Sequence, residues 1–239
     1  MKVEIIPCLQ DNFSYLIIDE ISNSACVVDP GEAAPIINFI NSKGIKLKYI
    51  LNTHHHFDHI GGNKDLKEIF GSKVLGFKKD SNRIPEIDIL LEDNQVWKAD
   101  NFIVKIIHVP GHTSSHVCFH FFQDKFVFTG DTLFSLGCGR IFEGTYKEMF
   151  ESLNKIKCLP QETKIYFGHE YTLNNSKFCM FHDPNNLNLK KKIDDLKKKI
   201  ESGEPSTPST IKDELECNVF LRANDLESFS KLRQLKDNF

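Results

Sequence analysis

Hydrophobic and polar residues alternate in short runs through the first half of the chain, which is the pattern of half-buried β-strands. Gly, Pro, Asn and Asp residues bound most of these runs. The strands that the pattern predicts are 2–7, 13–18, 25–29, 47–52, 102–109, 117–122, 126–129 and 164–167. A β-rich body therefore accounts for the larger part of the sequence.

Apolar residues recur at helical spacing in three segments between these strands. The helices that this spacing predicts are 33–42, 62–70 and 146–156. The apolar stripe of the third helix consists of Met149, Phe150, Leu153 and Ile156. Hairpins and strand–helix–strand units in mixed order predict an α/β (α+β) fold, in which two sheets are covered by helices.

The pattern changes near residue 172, and beyond it we predict only helices. One helix is indicated by apolar residues at spacings of four, three and four, namely Leu189, Ile193, Leu196 and Ile200. Residues 203–210, with two prolines, predict a connector, and a last helix is predicted at 225–236. We therefore divide the chain into an α/β body, 1–172, and a small C-terminal helical domain, 173–239.

Charge argues against a nucleic-acid partner. Thirty basic residues stand against thirty-three acidic ones, and the formal net charge is −3. The lysines at 190–192 and 197–199 lie mostly off the apolar stripe, which indicates a solvated helix face. The chain therefore has no global electrostatic footprint for nucleic acid, and any such partner would need a local patch.

Cysteine usage and hydropathy indicate the compartment. The chain has seven cysteines and no C-x-x-C pair, which suits reduced thiols rather than a disulfide framework. No apolar run approaches the roughly 20 residues of a membrane span, and residues 1–7 lack the apolar core of a secretory signal. We predict a soluble cytoplasmic protein that does not bind membranes.

The most specific chemical motif is His54-x-His56-x-Asp58-His59, which directly follows the strand ending at Asn52. Side chains on a loop between a strand and a helix can converge on one point. Imidazole and carboxylate ligands together suit zinc, iron or manganese rather than calcium or magnesium. The alternative, a His-rich loop that binds metals adventitiously, explains this spacing less well.

Three further candidate ligands each follow a predicted strand, and a glycine immediately precedes each of them. They are His112, Asp131 and His169. A glycine at that place permits the tight turn that aims the next side chain into a crowded centre. Loops that leave the same edge of layered sheets meet at one place, where sites are usually built.

These motifs, in this order, resemble the signature of the metallo-β-lactamase superfamily. The resemblance implies a four-layer αβ/βα sandwich that holds two divalent metal ions at one edge, with zinc preferred over iron or manganese. It implies that one metal is held by His54, His56 and His112. It implies that the second metal is held by Asp58, His59 and His169. Asp131 would bridge both metals, and Asp58 and Asp131 are the catalytic candidates.

A closer resemblance extends over nearly the whole chain. The segments that carry it are 6–15, 134–145, 168–172, 203–210, 218–222 and 232–239. They are similar to the hydroxyacylglutathione hydrolases, also called glyoxalase II. That family implies hydrolysis of S-(2-hydroxyacyl)glutathione thioesters, typically S-D-lactoylglutathione to D-lactate and glutathione, in methylglyoxal detoxification.

The same resemblance implies the substrate-binding residues. They are Cys138, Gly139, Arg140, Phe142, Tyr171, Arg233 and Lys236. Arg233 and Lys236 would grip the glycine carboxylate of glutathione. Family members commonly carry Lys at the position of Arg140 and Tyr at that of Phe142. These departures affect affinity or product release rather than the class of reaction.

Three further positions are predicted to support the ligands rather than to bind metal. Asp29 ends a strand that points toward the same edge, and His116 and His120 share a strand face. A ligating imidazole often needs an outer hydrogen-bond partner.

Other functions remain open at this point. A persulfide dioxygenase of the same superfamily uses one iron and also handles glutathione, but it does not need His59 and His169 as a second site. A metal-dependent nuclease is disfavoured by the balanced charge, and a non-catalytic binding protein would tolerate gaps in the ligand set. A serine hydrolase is disfavoured because the chain lacks the G-x-S-x-G context. We expect a monomer or a weak homodimer with a small-molecule substrate.

Overall fold

The computed structural model describes residues 1–239, which fold as two compact units. Unit 1 consists of Met1–His108 and Val117–Asp124, and unit 2 of Val109–His116 and Lys125–Phe239. None of the helices combines the length and the apolar character that crossing a membrane requires.

Unit 1 is built on a sheet of six strands that follow one another in chain order. They are β1 (Lys2–Cys8), β2 (Asn12–Asp19), β3 (Ser24–Val28), β4 (Lys46–Leu51), β5 (Lys73–Phe77) and β6 (Ile87–Leu91). The first three strands pair antiparallel and the remaining pairs are parallel. Three more antiparallel strands complete the unit, namely β7 (Val96–Ala99), β8 (Phe102–His108) and β9 (Val117–Phe121).

Helices pack on the first sheet through their apolar faces. They are α1 (Ala34–Lys43), α2 (Phe57–Ile60) and α3 (Asn63–Phe70). Ile36 and Ile40 of α1 and Leu66 of α3 are buried in one cluster with side chains of the sheet. Each such side chain contributes about 1.5–3 kcal/mol when it leaves water. This core fixes the ends of β3 and β4, from which the motif residues project.

Unit 2 combines a small sheet with the C-terminal helices. Its strands are β10 (Phe126–Gly130), β11 (Leu133–Phe134), β12 (Gly137–Cys138), β13 (Lys164–Phe167) and β14 (Ser209–Thr210). Strand β13 pairs parallel with β10 and antiparallel with β14, while β11 and β12 form a hairpin. Its helices are α4 (Tyr146–Lys157), α5 (Thr172–His182), α6 (Leu187–Glu201), α7 (Ile211–Cys217) and α8 (Leu226–Asp237).

Local sequence signals explain where several of these helices begin. Thr145 and Glu148 form a reciprocal capping box at α4. Asn186 caps α6 and Thr210 caps α7 through side-chain oxygens that accept backbone N–H groups. These signals make the helix boundaries readable from the sequence.

The predicted strands 2–7 to 164–167 are confirmed to within one residue at each end, as are the predicted helices 33–42, 62–70, 146–156 and 225–236. The prediction that the chain beyond residue 172 contains helices and no strands is wrong within the predicted connector, 203–210. Residues Ser209 and Thr210 form β14, whose pairing partners on β13 are Ile165 and Lys164. Two polar residues after a proline carry no alternating pattern, so only tertiary pairing defines this strand. The pattern also did not identify β5, β6, β7, β11 and β12.

The Lys-rich face of α6 is solvated as predicted, with one clear difference. Lys190, Lys191, Lys197 and Lys198 are exposed. Lys192 is instead held by the buried carboxylate of Glu214, with 2.6 Å between its Nζ and Oε1. Lys192 therefore acts as an internal counter-ion rather than as a surface charge.

Candidate metal centre

The His-x-His-x-Asp-His motif lies where β4 ends and α2 begins. His54 and His59 are buried, while His56 and Asp58 are half-buried. The Nε2 atom of His54 lies 3.1 Å from Nδ1 of His56, and Nε2 of His59 lies 3.5 Å from Oδ2 of Asp58. The motif thus places all four predicted ligands of unit 1 on one short turn.

Asp29 orients this turn from the end of β3. Its carboxylate accepts hydrogen bonds from the backbone N–H and the hydroxyl of Thr53, at 2.7 and 2.6 Å. It also lies 3.0 Å from Nδ1 of His59. Because a carboxylate accepts this bond, the ring proton of His59 sits on Nδ1 and Nε2 is left as the ligand atom. The predicted supporting role of Asp29 agrees with these contacts.

The backbone of Asp29 is held in the left-handed region, with φ of 49°. Asp tolerates this conformation better than most residues because its short side chain bonds locally. Such backbone outliers gather at functional sites, where the surrounding structure enforces them.

Asp58 has its own orienting partner, which the sequence did not reveal. The side-chain amide of Asn12 donates to Oδ2 of Asp58 at 2.9 Å and to its backbone oxygen at 3.1 Å. Asn12 belongs to the 6–15 segment that carries the family resemblance, but no local pattern indicates which group it binds. The contact leaves Oδ1 of Asp58 as the oxygen that Asn12 does not engage.

Unit 2 contributes the three remaining predicted ligands. His112, Asp131 and His169 are all buried. Oδ2 of Asp131 lies 3.4 Å from Nε2 of His112 and 3.2 Å from Nε2 of His169. The carboxylate of Asp131 is therefore faced by two imidazoles.

Neighbouring groups fix these three side chains. The Nδ1 atom of His112 lies 2.8 Å from the carbonyl of Arg140, which can only accept, so Nδ1 carries the ring proton and Nε2 is the nitrogen that faces Asp131. The backbone N–H of Asp131 donates to Nε2 of His116 at 3.1 Å. The ring of His169 stacks on Tyr171 with centroids 4.8 Å apart. The contact of His116 with Asp131 agrees with its predicted supporting role.

The other predicted supporting histidine, His120, lies on β9 opposite Lys105. Desolvation, and to a lesser degree the charge of Lys105, lowers the pKa of His120 to about 4. The imidazole is therefore neutral at pH 7, and its role beside a metal ligand stays a prediction.

The side chains that each unit offers are of the kinds that bind divalent metal ions. In unit 1 the Nε2 atom of His54 lies 3.1 Å from Nδ1 of His56, and Nε2 of His59 lies 3.5 Å from Oδ2 of Asp58. In unit 2 two imidazole nitrogens face one carboxylate oxygen. Imidazole nitrogens and carboxylate oxygens are ligands for zinc, iron and manganese in proteins. Because most of these groups are buried, bulk water hydrates them poorly, and a bound metal ion would interact with them in place of water.

The predicted substrate-binding residues of unit 2 differ in accessibility. Phe142 is 63% exposed and its ring lies 5.1 Å from that of His112, while Tyr171 is 39% exposed on His169. Arg140 is also largely exposed, and its Nε lies 3.7 Å from Asp237. Cys138 is buried beside Gly139. Exposed side chains next to buried ligands are suited to touching a substrate.

The two basic residues of α8 have different surroundings. Arg233 is only 3% exposed, and its guanidinium donates to the carbonyl of Cys138 at 2.7 Å and to Asp237 at 2.9 Å. Lys236 is half-buried, and its ammonium lies over the rings of Phe178 and Phe239. Burial, and then the charge of Arg233, lowers the pKa of Lys236. Of the two, Lys236 is the more accessible cation.

Two family models together match the chain from residue 10 to its end. The model of the metallo-beta-lactamase superfamily matches residues 10–169. The model of the hydroxyacylglutathione hydrolase C-terminus matches residues 170–239. The change from one model to the other falls just before α5.

Curated relatives carry one name over the full length. The chain is 62% identical over 239 residues to the hydroxyacylglutathione hydrolase of Pelagibacter ubique (strain HTCC1062), covering 100% of both chains. It is 39% identical to the hydroxyacylglutathione hydrolase of Methylococcus capsulatus, covering 98% of this chain and 97% of that one.

Solved structures share the fold at low sequence identity. The crystal structure of ETHE1 from Myxococcus xanthus has a TM-score of 0.75 at 22% identity, covering 98% of this chain and 90% of that one. The BLEG-1 B3 metallo-beta-lactamase has a TM-score of 0.73 at 22% identity, covering 93% of this chain and 100% of that one. The predicted fold class, a metallo-β-lactamase fold followed by a C-terminal helical region, is confirmed.

Proposed function

The chain belongs to the hydroxyacylglutathione hydrolases of the metallo-β-lactamase superfamily, and we propose that it hydrolyses S-(2-hydroxyacyl)glutathione thioesters, typically S-D-lactoylglutathione to D-lactate and glutathione. The observation that carries this proposal is the 62% identity to a curated hydrolase over the whole chain. The buried imidazole and carboxylate groups of both units support it, because they supply the donor set of a metallohydrolase.

The proposed ligand assignment follows the order of the family motif. One metal is assigned to His54, His56 and His112. The second metal is assigned to Asp58, His59 and His169. Asp131 is assigned to both. Zinc is the proposed metal, with iron and manganese as alternatives, because all three accept this mixture of nitrogen and oxygen ligands.

Divalent metals at these residues supply two kinds of chemistry, a lowered pKa for water and a polarised thioester carbonyl. The protein's own groups do the rest. Asp58, held by Asn12, orients the water that attacks the carbonyl carbon. The bond that breaks is the C–S bond, and the thiolate of glutathione is a good enough leaving group to depart without a dedicated general acid. The reaction therefore needs no acyl-enzyme.

Substrate contacts are proposed for exposed and for buried groups of unit 2. Phe142 and Tyr171 line the approach to His112 and His169, and Arg140 adds a positive charge. The turn at Cys138 and Gly139 offers backbone groups to the peptide of glutathione. Lys236 and Arg233 are the proposed partners of the glycine carboxylate.

We also propose that residues 1–172 form the catalytic domain and 173–239 a substrate-binding helical domain. The boundary between the two family models supports this division. All seven cysteines are free and six of them are buried, which supports a cytoplasmic location, where thiols stay reduced. We further propose that the protein is a monomer or weak homodimer and that it binds neither nucleic acid nor membranes.

The test is hydrolysis of S-D-lactoylglutathione by the purified protein, followed at the thioester absorbance, with metal analysis of the same sample. We expect thioester loss, one equivalent of free thiol and close to two metal ions per chain. A protein that consumes dioxygen with glutathione persulfide, and leaves the thioester intact, would instead be a persulfide dioxygenase. Steeply salt-dependent binding of RNA or DNA would indicate a nuclease.

A further inference from the structure

The turn of the β11–β12 hairpin is held by side chains from the C-terminal helices. We call residues 134–138 the hairpin loop. Each of its five backbone carbonyl groups accepts a hydrogen bond from such a side chain. Asn218 donates to the carbonyls of Phe134 (3.4 Å) and Gly137 (3.1 Å). Asn175 donates to Ser135 (3.2 Å), Cys179 to Leu136 (3.0 Å), and Arg233 to Cys138 (2.7 Å). The carboxylate of Glu214 accepts the N–H of Leu136 at 2.7 Å.

The hairpin loop depends on these partners because its own conformation is unfavourable. Leu136 has φ of 59°, in the left-handed region that a branched apolar side chain rarely adopts. Residues in such conformations persist only when the surrounding structure determines them. A two-stranded hairpin with two residues in each strand cannot do this alone.

The groups that hold the hairpin loop are themselves buried. Asn218, Cys179 and Glu214 have essentially no exposed surface. Burial raises the pKa of Cys179 to about 12, so its thiol stays protonated and can donate to the carbonyl of Leu136. The charge of Glu214 is balanced by Lys192. Each bond of the network is therefore shielded from competing water.

The hairpin loop leads directly to the ligands of unit 2. The N–H of Gly139 donates to the carbonyl of Thr132 at 3.2 Å. A Cβ atom at Gly139 would lie 1.9 Å from the carbonyl oxygen of Asp131, so only glycine allows this approach. The carbonyl of the next residue, Arg140, accepts a hydrogen bond from Nδ1 of His112 at 2.8 Å. A shift of the loop would therefore move the backbone of Asp131 and release the ring of His112.

We propose that Asn218, Cys179 and Glu214 are positioning residues that hold the hairpin loop and, through Gly139 and Arg140, fix His112 and Asp131 for metal binding. The C-terminal helices thus serve the metal centre as well as the substrate. This inference rests on the proposed function, since it takes His112 and Asp131 as metal ligands.

Asn218→Asp is the sharpest single change. It keeps the size and the oxygen that accepts the N–H of Phe220, but it replaces the donor that faces two carbonyls and Glu214 by a carboxylate. We expect release of Zn²⁺ from the loaded protein to a chelator to become about tenfold faster, the effect typical of losing an outer partner of a ligand. Amide hydrogen exchange in residues 132–140 should rise as well.

Asn186→Ala is the matched control. Asn186 caps α6 and donates to the carbonyl of Glu216, so its loss weakens the same helices without touching the hairpin loop. We expect this variant to lose thermal stability but to release Zn²⁺ at the wild-type rate. Equal release rates for Asn218→Asp, Asn186→Ala and the wild type would overturn the inference.

A second pair of variants covers the case in which Asn218→Asp does not fold. Cys179→Ser keeps a donor for the carbonyl of Leu136, whereas Cys179→Ala has a similar volume and no donor. We expect faster Zn²⁺ release and faster amide exchange in Cys179→Ala only. If the two variants behave alike, the hydrogen bond does not position the loop. Failure of the proposed function is distinguishable, since the wild-type protein would then not retain Zn²⁺ or would retain it without hydrolysing the thioester.

Discussion

At the scale of single residues, neighbouring groups decide which ring nitrogen two of the proposed ligands, His59 and His112, present to a metal. Asp29 fixes the ring proton of His59, and the carbonyl of Arg140 does the same for His112. A histidine with its Nδ1–H engaged can use only Nε2 as a ligand. The ligand geometry is therefore set before any metal binds, which reduces the reorganisation that binding requires.

Asn12 offers a test of this preorganisation at Asp58. Asn12→Ala removes the amide that holds Oδ2, and we expect kcat for S-D-lactoylglutathione to fall about tenfold with little change in KM. Asn12→Asp should fall further, because it places a second carboxylate beside Asp58. Steady-state kinetics measures both. Gln10→Ala, an exposed position on the same turn, is the control, and an equal loss in that variant would contradict the role of Asn12.

His120 predicts part of the pH dependence of stability. Its pKa is lowered to about 4 in the folded protein and returns to about 6.5 on unfolding, so the unfolded chain binds more protons between these values. The stability that His120 contributes is therefore present above pH 6.5 and is lost as the pH falls toward 4. Urea unfolding at pH 7.5 and pH 5 should show a larger loss for the wild type than for His120→Gln. An identical loss in both proteins would refute this assignment.

At the scale of elements, the two basic residues of α8 have different surroundings, although the sequence places them close together on one helix. Arg233 and Lys236 are three residues apart, which predicts that both face one carboxylate. In the structure, Arg233 donates hydrogen bonds to the carbonyl of Cys138 and to Asp237. Lys236 is half-buried, with its ammonium over two aromatic rings. We therefore expect the two residues to differ when each is removed.

Lys236→Ala should weaken substrate binding without loss of metal. A charge-assisted bond from a partly buried site contributes roughly 1.5–3 kcal/mol, so KM for S-D-lactoylglutathione should rise about tenfold or more. A thioester without the glycine carboxylate should be hydrolysed at nearly the wild-type rate. Lys231→Ala, exposed on the same helix, serves as the control. Equal effects on both substrates would show that Lys236 does not bind the carboxylate.

Arg233→Ala should act first on stability. The buried carbonyl of Cys138 would lose its donor, at a cost of roughly 2 kcal/mol, which corresponds to a fall in Tm of several degrees for a chain of this length. Thermal unfolding monitored by circular dichroism measures this change. An unchanged Tm together with a raised KM would show that Arg233 is a substrate ligand only.

At the scale of the whole molecule, the proposed metal ligands come from four separate stretches of sequence, around residues 54–59, 112, 131 and 169. A ligand that binds only the folded chain stabilises it by mass action, about 4 kcal/mol at a thousandfold excess over Kd. We therefore expect metal binding and folding to be coupled in this protein.

Removal of the metal should accordingly lower the Tm by roughly 10 °C, as measured by calorimetry with and without a chelator.

Asp131→Ala, which removes a ligand assigned to both metals, should lose more metal and more activity than His169→Ala. Equal and full metal content in these two variants would contradict the bridging assignment. Unfolding temperatures measured beside activity separate loss of metal from loss of fold.

The sequence by itself determined the strands and helices with strong periodicity and the types of candidate ligand. Hydrophobic period and capping act over a few residues, so Thr145 and Glu148 or the stripe of α4 can be identified without the fold. The motif at His54 to His59 is equally local, which is why its chemistry was predictable.

Only the tertiary structure decided which groups support those ligands. The bond from Asn12 to Asp58 spans 46 positions and that from Arg233 to Cys138 spans 95. Strand β14 likewise exists only because β13 offers it backbone partners. Hydrogen bonds over such separations depend on how the chain folds back on itself. Local propensity carries no information about them, and for this reason α8 could be predicted as a helix but not as a support of the hairpin loop.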